Sequence, residues 1–133
     1  MLKSGLFRAT GWMTVVVALV FTNACTAPSG LRELNGVAAE ARNQRVVVAN
    51  RSGTAVFTMI IGRNAETRVD WMPCVDAARC PPIQPGESQV HPYASLVLDT
   101  GEKEVIVHWW HTATDGSGVT HAVDLQSLIV PLQ

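Results

Sequence analysis

The 133-residue sequence predicts one all-β domain, an antiparallel sandwich or small barrel of about seven short strands, behind an N-terminal signal segment and a flexible tether. Three observations predict it. From Arg45 onward the apolar residues alternate or run in short β-branched groups. Turn signals built on Asn, Asp, Gly and Pro return every eight to twelve residues. Beyond the tether no stretch holds a helical period long enough for a helix.

In chain order, residues 46–49 are β-branched and apolar and stop at Asn50-Arg51-Ser52-Gly53, a turn signal. Residues 54–61 alternate, with Ala55, Phe57, Met59 and Ile61 on one face and Val56, Thr58 and Ile60 on the other. Gly62-Arg63-Asn64-Ala65 turns the chain into an expected strand at 67–72. The stretch from Trp71 to Glu87 holds four of the seven prolines and two of the three cysteines, and joins the two halves of the domain. Pro85-Gly86 leads into 87–93, where Pro92 limits the strand to an edge or bends it. A further strand is expected at 94–98. Residues 103–112 are the strongest β segment, with Val105, Val107 and Trp109 on one face and Ile106, His108 and Trp110 on the other. Asp115-Gly116-Ser117-Gly118 turns into 119–123, and 125–132 closes the domain.

The first residues decide the compartment. Lys3 and Arg8 precede an uncharged stretch, 9–30, with its apolar centre at 12–21, the layout of an export signal. That signal runs into Thr22-Asn23-Ala24-Cys25, which resembles the lipobox of bacterial lipoproteins, with Thr22 standing where that motif has leucine. The resemblance implies that Cys25 is lipidated and becomes the new N-terminus. The alternative is ordinary cleavage after Ala24. The expected division is a signal peptide at 1–24, a tether at 25–44 and the β domain at 45–133. In the tether Leu31, Leu34, Ala38 and Ala41 fall at helical spacing, interrupted by Asn35-Gly36. The expected location is an exported domain, periplasmic or extracellular, on a cell-membrane or outer-membrane lipid anchor.

A second resemblance rests on residues 46–56 (Val-Val-Val-Ala-Asn-Arg-Ser-Gly-Thr-Ala-Val) and on Ile83-Gln84-Pro85-Gly86-Glu87-Ser88. These are similar to the opening hairpin and the Pro-Gly-Glu turn of bacterial immunoglobulin-like domains. The resemblance implies an immunoglobulin-like sandwich with an accessory, adhesive or ligand-presenting role. The two cysteines lie too close together to match the widely spaced pair of antibody domains.

Cys74 and Cys80 could form a disulfide, a redox pair or part of a metal site. The five-residue gap does not match the two-residue spacing of redox motifs, and no Cys/His pair is placed to complete a zinc site. A structural disulfide is expected, consistent with export. His108-Trp109-Trp110-His111 puts its two histidines on opposite faces of a strand, which does not favour a shared metal. A copper-handling role using His91, His108, His111 or His121 is the alternative function, and no metal or other cofactor is expected. Trp71, Tyr93, Ile106, His108 and Trp110 form a candidate binding patch if their face is left uncovered, and core if it is not.

Past the signal, eight Lys and Arg (ten less Lys3 and Arg8) face eleven Asp and Glu. That balance argues against nucleic acid or an anionic membrane surface as the main partner. The sequence has no nucleophile elbow, phosphate loop or His-Glu-x-x-His motif, and Ser95 or Ser117 with His121 and an Asp is a trio found in most chains of this size. The expectation is therefore a non-catalytic accessory or binding module of the cell envelope. Its partners would be the membrane, through the N-terminal lipid, and another envelope protein.

Overall fold

The computed structural model describes residues 30–133. Seven strands follow in order: β1 (Arg32–Leu34), β2 (Val37–Arg42), β3 (Arg45–Asn50), β4 (Phe57–Gly62), β5 (Ser88–Pro92), β6 (Glu104–Thr114) and β7 (Thr120–Pro131). They form two antiparallel sheets, ordered β1-β2-β3-β5 and β4-β6-β7. Two short 3-10 helices, Ala65–Arg68 and Tyr93–Ser95, are the only helical pieces among the described residues.

The chain changes sheet at each of the connections β3 to β4, β4 to β5 and β5 to β6, so that β3 pairs with β5 and β4 with β6. This interlocking holds the two layers face to face and is compatible with an immunoglobulin-like arrangement. Period-two alternation then fills the space between them. Val37, Ala39 and Ala41 of β2 and Val46 and Val48 of β3 meet Ile60, Val105, Val107, Trp109 and Val130 of the opposite sheet. The alternation expected within 103–112 is the one observed.

The expected tether is corrected by this arrangement. Residues from Arg32 onward are not a stalk; β1 and β2 belong to the first sheet, and Val37, Ala39 and Ala41 are fully buried. The physical reason is a turn. Asn35 (φ 48°) and Gly36 (φ 83°) both adopt left-handed backbone, the requirement of a two-residue hairpin turn. Asn43 (φ 50°) and Gln44 (φ 57°) repeat the device between β2 and β3 without a glycine. The alanines of β2 have weak strand preference, so the short alternation was masked by a chance helical spacing. The folded domain therefore includes residues 32–44, which the expected division placed in the tether. Residues 1–29, where the signal peptide and the lipidation of Cys25 are expected, lie outside the described residues.

Two further expected strands are absent. At 67–72 the chain makes the first 3-10 helix and then runs extended without a ladder partner. At 94–98 the second 3-10 helix is followed by an isolated bridge from Val97 to Ile61. Asn50, read as turn chemistry, is the buried hub of its turn. Its Nδ2 donates to Thr54 O (2.7 Å) and Ile83 O (2.9 Å), while its Oδ1 accepts from the backbone N–H and hydroxyl of Ser52.

Candidate functional site

The face of the second sheet that turns away from the main core carries the candidate residues. Pairing sets Phe57 beside Trp110 and Met59 beside His108 on β4 and β6, and Ser127 beside His108 on β7. The segment that leaves β4 folds back over this face. It brings Trp71 to ring-centroid distances of 4.6 Å from His108 and 5.9 Å from Trp110, and Phe57 stacks on Trp110 at 6.3 Å. A second, smaller apolar cluster results, in which Phe57, Ile61, Ala65 and Trp110 are buried.

His108 lies at the centre of this cluster. Its Nε2 is 2.5 Å from Glu66 Oε1, and its Nδ1 is 2.7 Å from Ser127 Oγ. As a carboxylate Glu66 only accepts, so Nε2 carries the hydrogen, and in the neutral imidazole Nδ1 accepts from the Ser127 hydroxyl. In composition this string parallels a Ser–His–carboxylate relay, with the imidazole turned end for end and a tryptophan laid over the ring. It links the 3-10 helix to β6 and β7. Glu66 and Ser127 were not foreseen as partners, because they lie 42 and 19 residues from His108 and no local pattern signals such a contact.

The five patch candidates do not stay together. Trp71 packs against both His108 and Trp110, which are buried. Ile106 shares their face and is half-buried, paired with Ile61 and Ile129. Tyr93 belongs elsewhere: it packs on the main core from the second 3-10 helix, and its hydroxyl donates to Gln133 O at 3.2 Å. The covering segment thus buries His108 and Trp110, while Trp71 and Ile106 stay half-buried.

Covering the face leaves a loop exposed. Cys74 and Cys80 are disulfide-bonded, with Cα atoms 6.3 Å apart. A single turn between them, closed by Cys80 N–H to Asp76 O at 2.9 Å, gives this spacing. The loop is tied down at both ends, by Trp110 Nε1 donating to Cys74 O (2.9 Å) and by Gln89 Nε2 donating to Pro81 O (3.0 Å). Met72 beside it is 88% exposed. A shallow groove of about 450 Å³ runs along Met72, Pro73, Val75, Asp76 and Arg79. A Cys74→Ser/Cys80→Ser variant is expected to fold with about 2 kcal/mol less stability, read as a melting point lower by several degrees. Because other anchors hold the loop, the unfolding transition should stay cooperative.

No family model, characterised protein or solved structure matches this chain. Its chemistry must be read from its own residues.

The four histidines occupy four separate settings, and among the described residues no three of His, Cys, Asp or Glu converge as a metal site. His111 Nδ1 contacts Ala55 O at 3.0 Å. His121 Nε2 meets Asp115 Oδ2 at 2.8 Å, and the Ser117 hydroxyl donates to Asp115 Oδ1 at 2.6 Å. Ser117 and His121 therefore share a carboxylate without touching as nucleophile and base. Ser117, His121 and the amides of Val119 and Ser117 hold the Asp115 carboxyl far below the usual range, which stiffens this exposed turn.

His91 faces inward from β5 with an enclosed, unpartnered Nε2. Burial lowers its pKa. The unfolded chain takes up this proton near pH 6.5 and the folded chain resists it, so stability is full above that pH and falls as the pH drops below it. Melting points measured at pH 7.5 and pH 5 should show a decrease. The decrease should be smaller in His91→Gln, and equal decreases would exclude His91 as the cause.

Proposed function

We propose that the protein is an exported, lipid-anchored binding module of the cell envelope, with an immunoglobulin-like sandwich presenting the Cys74–Cys80 loop to a partner. The observation that carries this reading is the loop itself. It is exposed and partly apolar, yet held by a disulfide, an indole hydrogen bond and the contact of neighbouring Trp71 with Trp110. A pre-ordered loop loses little entropy on binding, which is the usual reason to staple a recognition surface. The disulfide also favours an oxidising compartment. The Ala24-Cys25 signature supplies the anchor by its resemblance to the lipobox.

Two measurements test the two halves of this reading. Mass spectrometry of the native N-terminal peptide is expected to show acyl mass on Cys25, and an unmodified terminus would remove the anchor. A photo-crosslinker at Met72 should trap a recurrent envelope partner that the same probe at Gly116 does not. Equal yields from both positions would remove the recognition role of the loop.

A further inference from the structure

The strand directions gather most of the basic residues at one end of the domain. Gly30, the first described residue, lies against the C-terminus: a Cβ there would stand 3.3 Å from Gln133 Nε2 and 3.4 Å from Pro131 Cγ. Pro131 pairs with Glu104, and Gly62 with Val105. Tyr93 links the first sheet to the same place, through its hydroxyl to Gln133 and through its N–H to Gln44 O. The point where the chain enters the sandwich, the β2–β3 turn, the turn after β4 and the loop before β6 therefore share one end.

That end holds Arg32, Arg42, Arg45, Arg63, Arg68 and Lys103, six of the eight described Lys and Arg, against Glu40, Glu66, Asp99, Glu102 and Glu104. Six cations less five carboxylates leave it at +1. The rest of the domain carries Arg51 and Arg79 against six carboxylates, or −4. The molecule is strongly polar although its net charge is modest. Arg63 and Arg68 are paired with Glu104 and Asp99. Arg32, Arg45 and Lys103 have no carboxylate at ion-pair distance among the described residues, and Arg42 reaches Glu40 only at 3.9 Å. Arg42 and Arg45 flank the β2–β3 turn and, with Asn43, Val47 and Val90, line a groove of about 250 Å³.

Cys25 lies five residues before Gly30, a reach of about 17 Å at full extension. Resting on the anchoring reading above, we infer that the Arg42–Arg45 end seats on anionic lipid headgroups, whose phosphate oxygens are taken by the two guanidinium groups. The acidic remainder is then turned away from the bilayer. Leu31, 40% exposed at the same end, sits where the chain meets the surface. Guanidinium forks match phosphate oxygens in geometry as well as charge. Each basic residue near an anionic bilayer raises occupancy of the seated orientation about five-fold. The opposite sign of the far end adds to the bias, since headgroups repel it.

Hydrogen–deuterium exchange of the full lipidated protein tests the assignment, on phosphatidylcholine vesicles with and without phosphatidylglycerol. Anionic lipid should slow exchange several-fold at 42–45 and 101–103 and leave 115–119 unchanged. Arg42→Glu/Arg45→Glu should abolish the difference while leaving the melting point within a few degrees. Equal exchange on both vesicles, or slowing at 115–119, overturns the assignment. If the N-terminal peptide carries no acyl mass, the anchor reading fails separately. The surface is then judged by co-sedimentation of the unacylated protein with phosphatidylglycerol vesicles at low salt: binding lost in the double variant supports it, and absence of binding overturns it.

Discussion

A Trp110→Ala variant is expected to lose about 3–5 kcal/mol of stability, the range for emptying a buried aromatic site. Trp110 joins three parts of the molecule that are distant in sequence. It stacks on Phe57 of β4, supports Trp71 from the covering segment, and donates its indole N–H to Cys74 O. Its removal leaves a cavity between the sheet and the segment, and leaves the Cys74 carbonyl without that donor. Denaturant titration should show the loss, and hydrogen exchange should rise first at 69–80. Trp110→Phe keeps most of the packing and drops the hydrogen bond, so it should cost only about 1–2 kcal/mol. A loss below about 1 kcal/mol for Trp110→Ala would mean that the covering segment is not part of the folded unit.

Ala39→Asp should prevent folding at 37 °C. Ala39 is fully buried in the middle of β2, opposite Val48, and faces the main core. A carboxylate there has no partner and either stays charged at a cost of several kcal/mol or binds a proton at a similar cost. A domain this small has only about 5–15 kcal/mol in total. Glu40→Gln, one residue on and pointing outward, should change stability by no more than about 0.5 kcal/mol. Circular dichroism and soluble yield compare the pair directly. A folded Ala39→Asp protein with an unchanged melting point would return β2 to the status of a tether.

Both predictions concern places where local pattern was a poor guide. Asn35-Gly36 is a hairpin signal by its dihedral preferences, but the four apolar residues around it fall at helical spacing and point to a helix instead. The pair lies between two very short strands, β1 and β2, and the first has no buried residue to show a period. Residues 67–72 have strand-compatible side chains, but a strand needs a neighbour, and the chain there lies over a sheet face instead of along its edge. Trp71 shows the consequence: its composition cue was right, and its partners depend on how the segment crosses the sheet.

Sequence alone determined the features that depend on neighbours along the chain. These include the all-β class, the face alternation of β6, the turn at Asn50, and the small ring closed by Cys74 and Cys80. Each rests on dihedral preference, period-two geometry or short loop closure, all of which act over fewer than a dozen residues. Tertiary structure alone decided the rest. Glu66, His108 and Ser127 meet because three segments are stacked, and Tyr93 parts from the other aromatic candidates because the chain changes sheet between β5 and β6. The clustering of Arg42, Arg45 and Lys103 at the end where Gly30 enters likewise follows from antiparallel pairing across two layers. Such contacts join residues tens of positions apart, and no local preference encodes which faces will be brought together.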